Sequence, residues 1–301
     1  MSRPTRQTVG GQAYLDLQNR ARREGRTTQE LLILYVLERW LARLAASPSA
    51  GTFVLKGGML LAALDARRPT VDADLLARHL ANDVHTVAAR VQQIASIALD
   101  EDDGVDYLPD TASAQAIRED DLYAGVRIGM DCRISTAAVK LKLDINFGDP
   151  VTPEPRVIHL PSQRIGRPPV PVLGYPIETV VAEKICTAIA LGEANTRVRD
   201  YADLYMLTGK HPLHHATVRA ALDATAAYRQ VTLAPLSSVL GALPTTRQSA
   251  YQAFRKRLGV DGASLPATFS EVVAAVVAFV DPLVSSQAAT VTWQPATRHW
   301  R

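Results

Sequence analysis

The sequence is short of several things, and each shortage excludes something. Its 301 residues hold two cysteines, Cys132 and Cys186, far apart and without metal-ligand spacing. That excludes a disulfide framework and a cysteine-held zinc, and both thiols are expected to be free and buried in a reducing compartment. Long apolar runs are also missing. The most apolar late stretch, Val272 to Val280, is about half of the roughly 20 residues that span a bilayer. The first residues, Met1-Ser2-Arg3-Pro4-Thr5-Arg6, are polar and lead into no apolar signal segment. The expectation is a cytoplasmic protein with no membrane partner. Charge of one sign is not in excess either: 33 Lys and Arg face 30 Asp and Glu, for a net +3. A bulk polycation is excluded, while a local basic cluster facing a nucleotide or nucleic acid stays open. There is no Walker-type Gly-Lys-Ser/Thr loop, and no Ser/His/Asp or Cys/His pairing stands out.

What is present can bury a core: 47% of the residues are apolar and 21% charged. Residues 11–46 read as two helices, the second opened by the capping box Thr27-x-x-Glu30. A short strand, Phe53-Val54-Leu55, meets Lys56-Gly57-Gly58 and a helix from Met59 to Ala66. Thr70 to Leu75 reads as another strand, and Asn82 or Asp83 caps a helix running to about Ala98. The acidic run Asp100 to Asp103 reads as a solvated loop. From Tyr123 to Phe147 the period becomes two, which predicts an antiparallel strand pair. One more strand, Val157-Ile158-His159-Leu160, lies in a Pro-rich passage, and from Pro176 to Pro282 the pattern is helical. The fold class expected is α+β. Its parts are N-terminal helices over 1–50 packing on the core, a mixed-sheet domain over 51–170, a helical domain over 171–285 and a loose tail over 286–301.

The residue patterns that carry chemistry lie on those elements. A Gly-Gly turn between strand and helix lets backbone N–H groups come close to a phosphate, with the helix dipole assisting. In the strand Thr70 to Leu75, the even positions Thr70, Asp72 and Asp74 share a face, with Val71, Ala73 and Leu75 on the other. Two carboxylates so close repel each other unless a cation sits between them, and a hard divalent ion such as Mg²⁺, with Mn²⁺ as substitute, resolves the repulsion. An isolated Asp-x-Asp also reads as the polar face of a half-exposed strand. Val139 to Phe147 repeats the logic: Lys140, Lys142, Asp144 and Asn146 face one way, making Asp144 the candidate third metal ligand. Farther on, Lys184 interrupts an apolar stripe at positions 177, 181, 188 and 191, where it either snorkels or faces an anion. Asp200 falls in phase with Leu204 and Leu207, so it points inward and needs a partner, Arg197 or Lys184. His211, His214 and His215 follow a helix end and read as loop residues.

Taken in order, Lys56-Gly57-Gly58, Thr70-x-Asp72-x-Asp74, Glu183-Lys184 and Arg197-x-Arg199-Asp200-x-x-Asp203-Leu204 resemble the AbiEii-type nucleotidyltransferase toxins of type IV toxin–antitoxin systems. The MenT toxins of mycobacteria belong to that group. The resemblance covers roughly residues 50 to 210. It implies a polymerase-β-like nucleotidyltransferase core with a helical C-terminal half enclosing a cleft. Asp72 and Asp74 would hold metal and be catalytic, with Lys184 and Asp200. Lys56, Gly57, Gly58, Thr70 and Lys184 would bind nucleotide. The implied activity is metal-dependent transfer of a nucleotide from an NTP to an RNA acceptor, the tRNA 3′ end, which stops translation until a cognate antitoxin protein neutralises it. Met59 stands where the family commonly has Ser or Thr. The alternatives are the same fold acting on a protein or small molecule, and a catalytically weak module that works by binding its partner.

Overall fold

Threonine hydroxyls start the first two helices. The Thr8 side chain accepts from Gly11 N at the head of α1 (Val9–Glu24), and Thr27 accepts from Glu30 N at 3.1 Å to open α2 (Thr28–Ala45). The computed structural model describes residues 3–119, 123–285 and 290–301. Two units divide the chain: one holds Met1–Ala63, Pro69–Gly148 and Arg156–Gly174, the other Leu64–Arg68, Asp149–Pro155 and Tyr175–Arg301.

In the first unit the elements after α2 are β1 (Phe53–Lys56), α3 (Gly57–Ala63), β2 (Ala73–Ala77), α4 (Val84–Ala95), β3 (Asp106–Glu119), β4 (Tyr123–Ile134), β5 (Ala137–Phe147), β6 (Arg156–Leu160) and β7 (Val170–Gly174). Among the described residues the strands form one sheet in the order β3-β4-β5-β2-β1-β7-β6. It is mixed: β2 runs parallel to β5 and β1 to β7, while the other neighbours are antiparallel. α2 lies across β5 and β7, and Leu31, Val36, Leu37, Trp40 and Leu41 are fully buried. Asp83 caps α4 as expected, accepting from Thr86 N at 2.7 Å.

Three features differ from the sequence reading. β2 begins at Ala73, so Thr70 and Asp72 lie in the turn before it; Val71, expected on the core face, is 52% exposed. The acidic run is not wholly solvated: Asp103 is buried, with Arg39 donating at 2.9 Å and Arg43 at 2.5 and 3.2 Å. Its partners are in direct contact but some 60 positions away in sequence, so local composition does not reveal them. Finally, β3 and β7 were not anticipated. β3 is an edge strand of small and polar residues, Thr111-Ala112-Ser113-Ala114-Gln115-Ala116, and Pro171 interrupts the apolar pattern of β7.

The second unit is helical. It comprises α5 (Ile177–Leu191), α6 (Val198–Thr208), β8 (Leu213–His214), α7 (His215–Arg229), α8 (Leu243–Thr246), α9 (Gln248–Leu258), α10 (Phe269–Ser285), β9 (Thr292–Gln294) and β10 (His299–Trp300). α5 packs on α7, and α6 packs on α10. The expected loose tail is corrected here, apart from 286–289, which lie outside the described residues. β9 pairs with β8 and β10, and Trp293 is fully buried, edge-on to Phe279 with 4.9 Å between centroids. The tail's order depends on two tryptophans whose partners are distant in sequence, so no periodicity announces it. No single described helix is long and apolar enough to cross a membrane. Both cysteines are free and buried, and burial pushes each thiol up to about 12.

Candidate active site

The register of the first unit's sheet sets four charged residues in one transverse row. Lys56 on β1 faces Asp74 on β2, Asp74 faces Asp144 on β5, and Asp144 faces Arg127 on β4. In-register neighbours project from the same face of a sheet, so the row reads positive, negative, negative, positive. The next row is Leu55, Leu75, Ile145 and Val126, all at most 1% exposed. Period two therefore puts this apolar row on the face opposite the charges. Two carboxylates in adjacent strands repel, and the flanking cations offset that repulsion.

Each acid has its own fixed surroundings. Asp144 accepts two hydrogen bonds from Arg127, at 2.7 Å from Nε and 2.6 Å from the terminal nitrogen. Those hydrogen bonds, then Coulomb attraction to Asp144 and more weakly to Asp72 and Asp74, raise the Arg127 pKa above its ordinary value. Asp72, in the turn before β2, accepts from the Thr70 hydroxyl at 2.8 Å. Thr70 is buried, so it holds that carboxylate in place rather than lying open to a ligand. Asp74 lies against Gly57: a Cβ at 57 would fall 2.5 Å from its Cγ. Gly57 has φ +65°, a left-handed conformation that suits glycine. The turn that brings the backbone beside Asp74 therefore needs glycine for both space and angle. α3 runs only seven residues, so the dipole assistance expected there is small and the turn itself remains. Lys56 is buried, and Met59 is 2% exposed in the core.

Asp72, Asp74 and Asp144 offer carboxylate oxygens, which suit a hard divalent cation and not a thiolate metal. Among the described residues no three His, Cys, Asp or Glu side chains are already gathered to hold one. Asp144 is held by Arg127, and Asp72 accepts from Thr70. Beside the row, Asp72, Asp144, Arg127, Lys140, Lys142 and Gln115 line a groove of about 270 Å³.

The other predicted residues belong to the second unit. Lys184 donates to Asp200 and to Asp203, each at 2.7 Å, and its side chain is 14% exposed. Asp200 also forms an ion pair with Arg197 at 2.8 Å, and Arg68 donates to Asp203 at 3.4 Å. Both partners expected for an inward Asp200 are therefore present. Burial pushes the Asp200 carboxyl up, but Lys184 and then Arg197 outweigh it and bring its pKa down to about 2. For Lys184, burial lowers the pKa, and Asp200 and Asp203 together raise it above the ordinary lysine value. This cluster is a buried cation held by two acids, with Asp200 permanently ionised near neutral pH. Asp203, Arg68 and Arg127 were assigned no role from sequence; their partners are revealed only by the fold. His211 bonds to the Leu64 carbonyl at 2.9 Å, and the three histidines form no metal cluster among the described residues.

Two solved structures from Helicobacter pylori resemble the chain. JHP933 does so with TM-score 0.46 and 16% identity, over 86% of this chain and 95% of that one. A second protein, described as a nucleotidyltransferase, does so with TM-score 0.44 and 18% identity over the same shares. No curated protein matches. Residues 39–275 match the family of nucleotidyl transferase AbiEii toxins of type IV toxin–antitoxin systems. With more than half its length matched, the chain belongs to the AbiEii nucleotidyltransferase toxin family.

Proposed function

We propose that the protein is the toxin of a type IV toxin–antitoxin pair and transfers a nucleotide from an NTP to an RNA acceptor, the tRNA 3′ end, blocking translation. The observation that carries this reading is the charge row, with Asp74 and Asp144 side by side and Asp72 two residues before Asp74. In this reading Asp72, Asp74 and Asp144 hold Mg²⁺. The ion would screen the triphosphate and align the attacking hydroxyl. Thr70 orients Asp72, and Lys56, Gly57 and Gly58 would contact the nucleotide. Lys184 has three N–H donors, two of them directed at Asp200 and Asp203, so one is left for a phosphate oxygen. Asp200 then holds Lys184 in position and takes no proton, consistent with its low pKa. Lys140, Lys142 and Arg127 along the groove favour a polyanionic acceptor. Free tRNA is a cytoplasmic acceptor, and two unpaired thiols are compatible with that compartment.

The test is incubation with Mg²⁺, each labelled NTP and total RNA, followed by separation of RNA from protein. Label in a tRNA-sized band supports the proposal, and label on protein alone replaces RNA with a protein acceptor.

A further inference from the structure

Arg127 is not placed like an ordinary surface partner. It stands in register with Asp144, directs Nε and one terminal nitrogen at that one carboxylate, and is still 49% exposed, against 14% for Asp144. Water and salt compete for the half-exposed guanidinium, so the pair can be opened. It does fix geometry: the fork takes one hydrogen bond on each Asp144 oxygen and holds the carboxyl plane toward Arg127. Arg127 also lines the groove that holds Asp72, Lys140 and Lys142, so its guanidinium can reach an anion there without backbone movement.

We infer that Arg127 is a latch on the third carboxylate: it holds Asp144 while the site is empty, and turns to a phosphate of the NTP once a divalent cation takes Asp144. The inference rests on the metal reading proposed above. It makes Arg127 a positioning residue that couples two binding events. Without cation, the latch offsets the repulsion between Asp74 and Asp144. With cation and nucleotide, both of its former roles are replaced, by the ion on Asp144 and by the phosphate on Arg127. A protein whose competent state is a minority binds more weakly by that fraction, so the latch lowers cation affinity until the nucleotide is present.

The experiment is a Mn²⁺ titration of the full chain, read by electron paramagnetic resonance of the free ion, without nucleotide. Arg127→Gln is expected to tighten Mn²⁺ binding roughly fivefold by removing the competing state. Arg127→Lys keeps the charge and loses the fork, and is expected to tighten it at least about twofold. Lys142→Gln removes a like charge from the same groove without freeing Asp144, and should shift binding less than about twofold. At saturating Mn²⁺, Arg127→Gln should bind fluorescent NTP about tenfold more weakly than wild type. The latch is overturned if Arg127→Lys matches wild type while Arg127→Gln and Lys142→Gln shift alike, since that is charge alone. Unchanged NTP binding at saturating Mn²⁺ overturns it too. Mn²⁺ bound equally by wild type and both Arg127 variants, and lost in Asp74→Asn, removes the latch and leaves the metal reading standing. No Mn²⁺ bound by any variant, with or without NTP, removes both.

Discussion

Gly57 and Asp74 are in direct apposition: the backbone at 57, with φ +65°, passes so near the carboxylate that a Cβ there would lie 2.5 Å from Cγ and 2.8 Å from Cβ of Asp74. Gly57→Ala is therefore expected to push Asp74 out of the charge row as well as strain the turn. The strain costs about 1 kcal/mol, which a thermal melt reads as a shift of a few degrees. Transferase activity should fall far more than stability. A variant that melts lower yet keeps full activity would show that Asp74 need not stand where it does.

Met59 stands at a position where its family commonly has a hydroxyl, but its side chain is 2% exposed. Met59→Thr is expected to destabilise the protein by about 2 kcal/mol, through lost core contacts and a buried hydroxyl. It should not improve nucleotide binding. Denaturant unfolding and an NTP titration check the two halves separately.

Lys184 is the cation between Asp200 and Asp203. Removing it in Lys184→Met leaves Asp200 with Arg197 and Asp203 with Arg68, so the cost is expected at the low end for a broken buried pair, about 3 kcal/mol. Asp200→Asn leaves Lys184 its bond to Asp203 and should cost less. The order of the two melting temperatures tests this. Loss of activity in Lys184→Met is interpretable as a phosphate contact only after the fold has been shown to survive.

Asp200 also predicts an acid limb. Its folded pKa of about 2 lies below the ordinary aspartate value of about 4, so its ion pairs contribute stability that is full above pH about 4 and fades as pH falls toward about 2. Asp200→Asn should lower stability at pH 7 and make the loss across that window shallower. Chemical denaturation at several pH values gives the slope. Equal slopes in wild type and variant would mean that Asp200 is not held by Lys184 and Arg197.

At the C-terminus Trp293 donates to the Thr208 carbonyl at 2.7 Å and packs edge-on to Phe279. Trp293→Ala is expected to cost about 3–4 kcal/mol, a large effect for a residue eight positions before Arg301. Calorimetry of the variant is the check.

Periodicity carried much of this organisation. The alternation from Val126 to Phe147 is long enough to give both strands of a pair, and it put Asp144 on a polar face. The phase of Asp200 with Leu204 and Leu207 showed that it points inward, while the Lys184 stripe left snorkelling and an anion both open until the fold supplied Asp200 and Asp203. What periodicity cannot supply is which residues face each other across paired strands. Arg127 alternates between Val126 and Ile128 like any exposed strand residue. Only the β4–β5 pairing shows that it faces Asp144, and only the β2–β5 pairing puts Asp144 beside Asp74. Asp203, Arg68 and Asp103 were illegible for the same reason, because each takes its meaning from a partner brought by the fold.

The account's central claim is that Asp72, Asp74 and Asp144 act as one carboxylate set. The most direct measurement is label transfer from NTP to RNA by wild type and by Asp72→Asn, Asp74→Asn and Asp144→Asn, each with Mg²⁺ and with Mg²⁺ chelated. The account predicts transfer by wild type only with Mg²⁺. It also predicts a loss of at least about a hundredfold in each variant, with folding intact by circular dichroism. Transfer that survives chelation, or an Asp144→Asn variant as active as wild type, would contradict it.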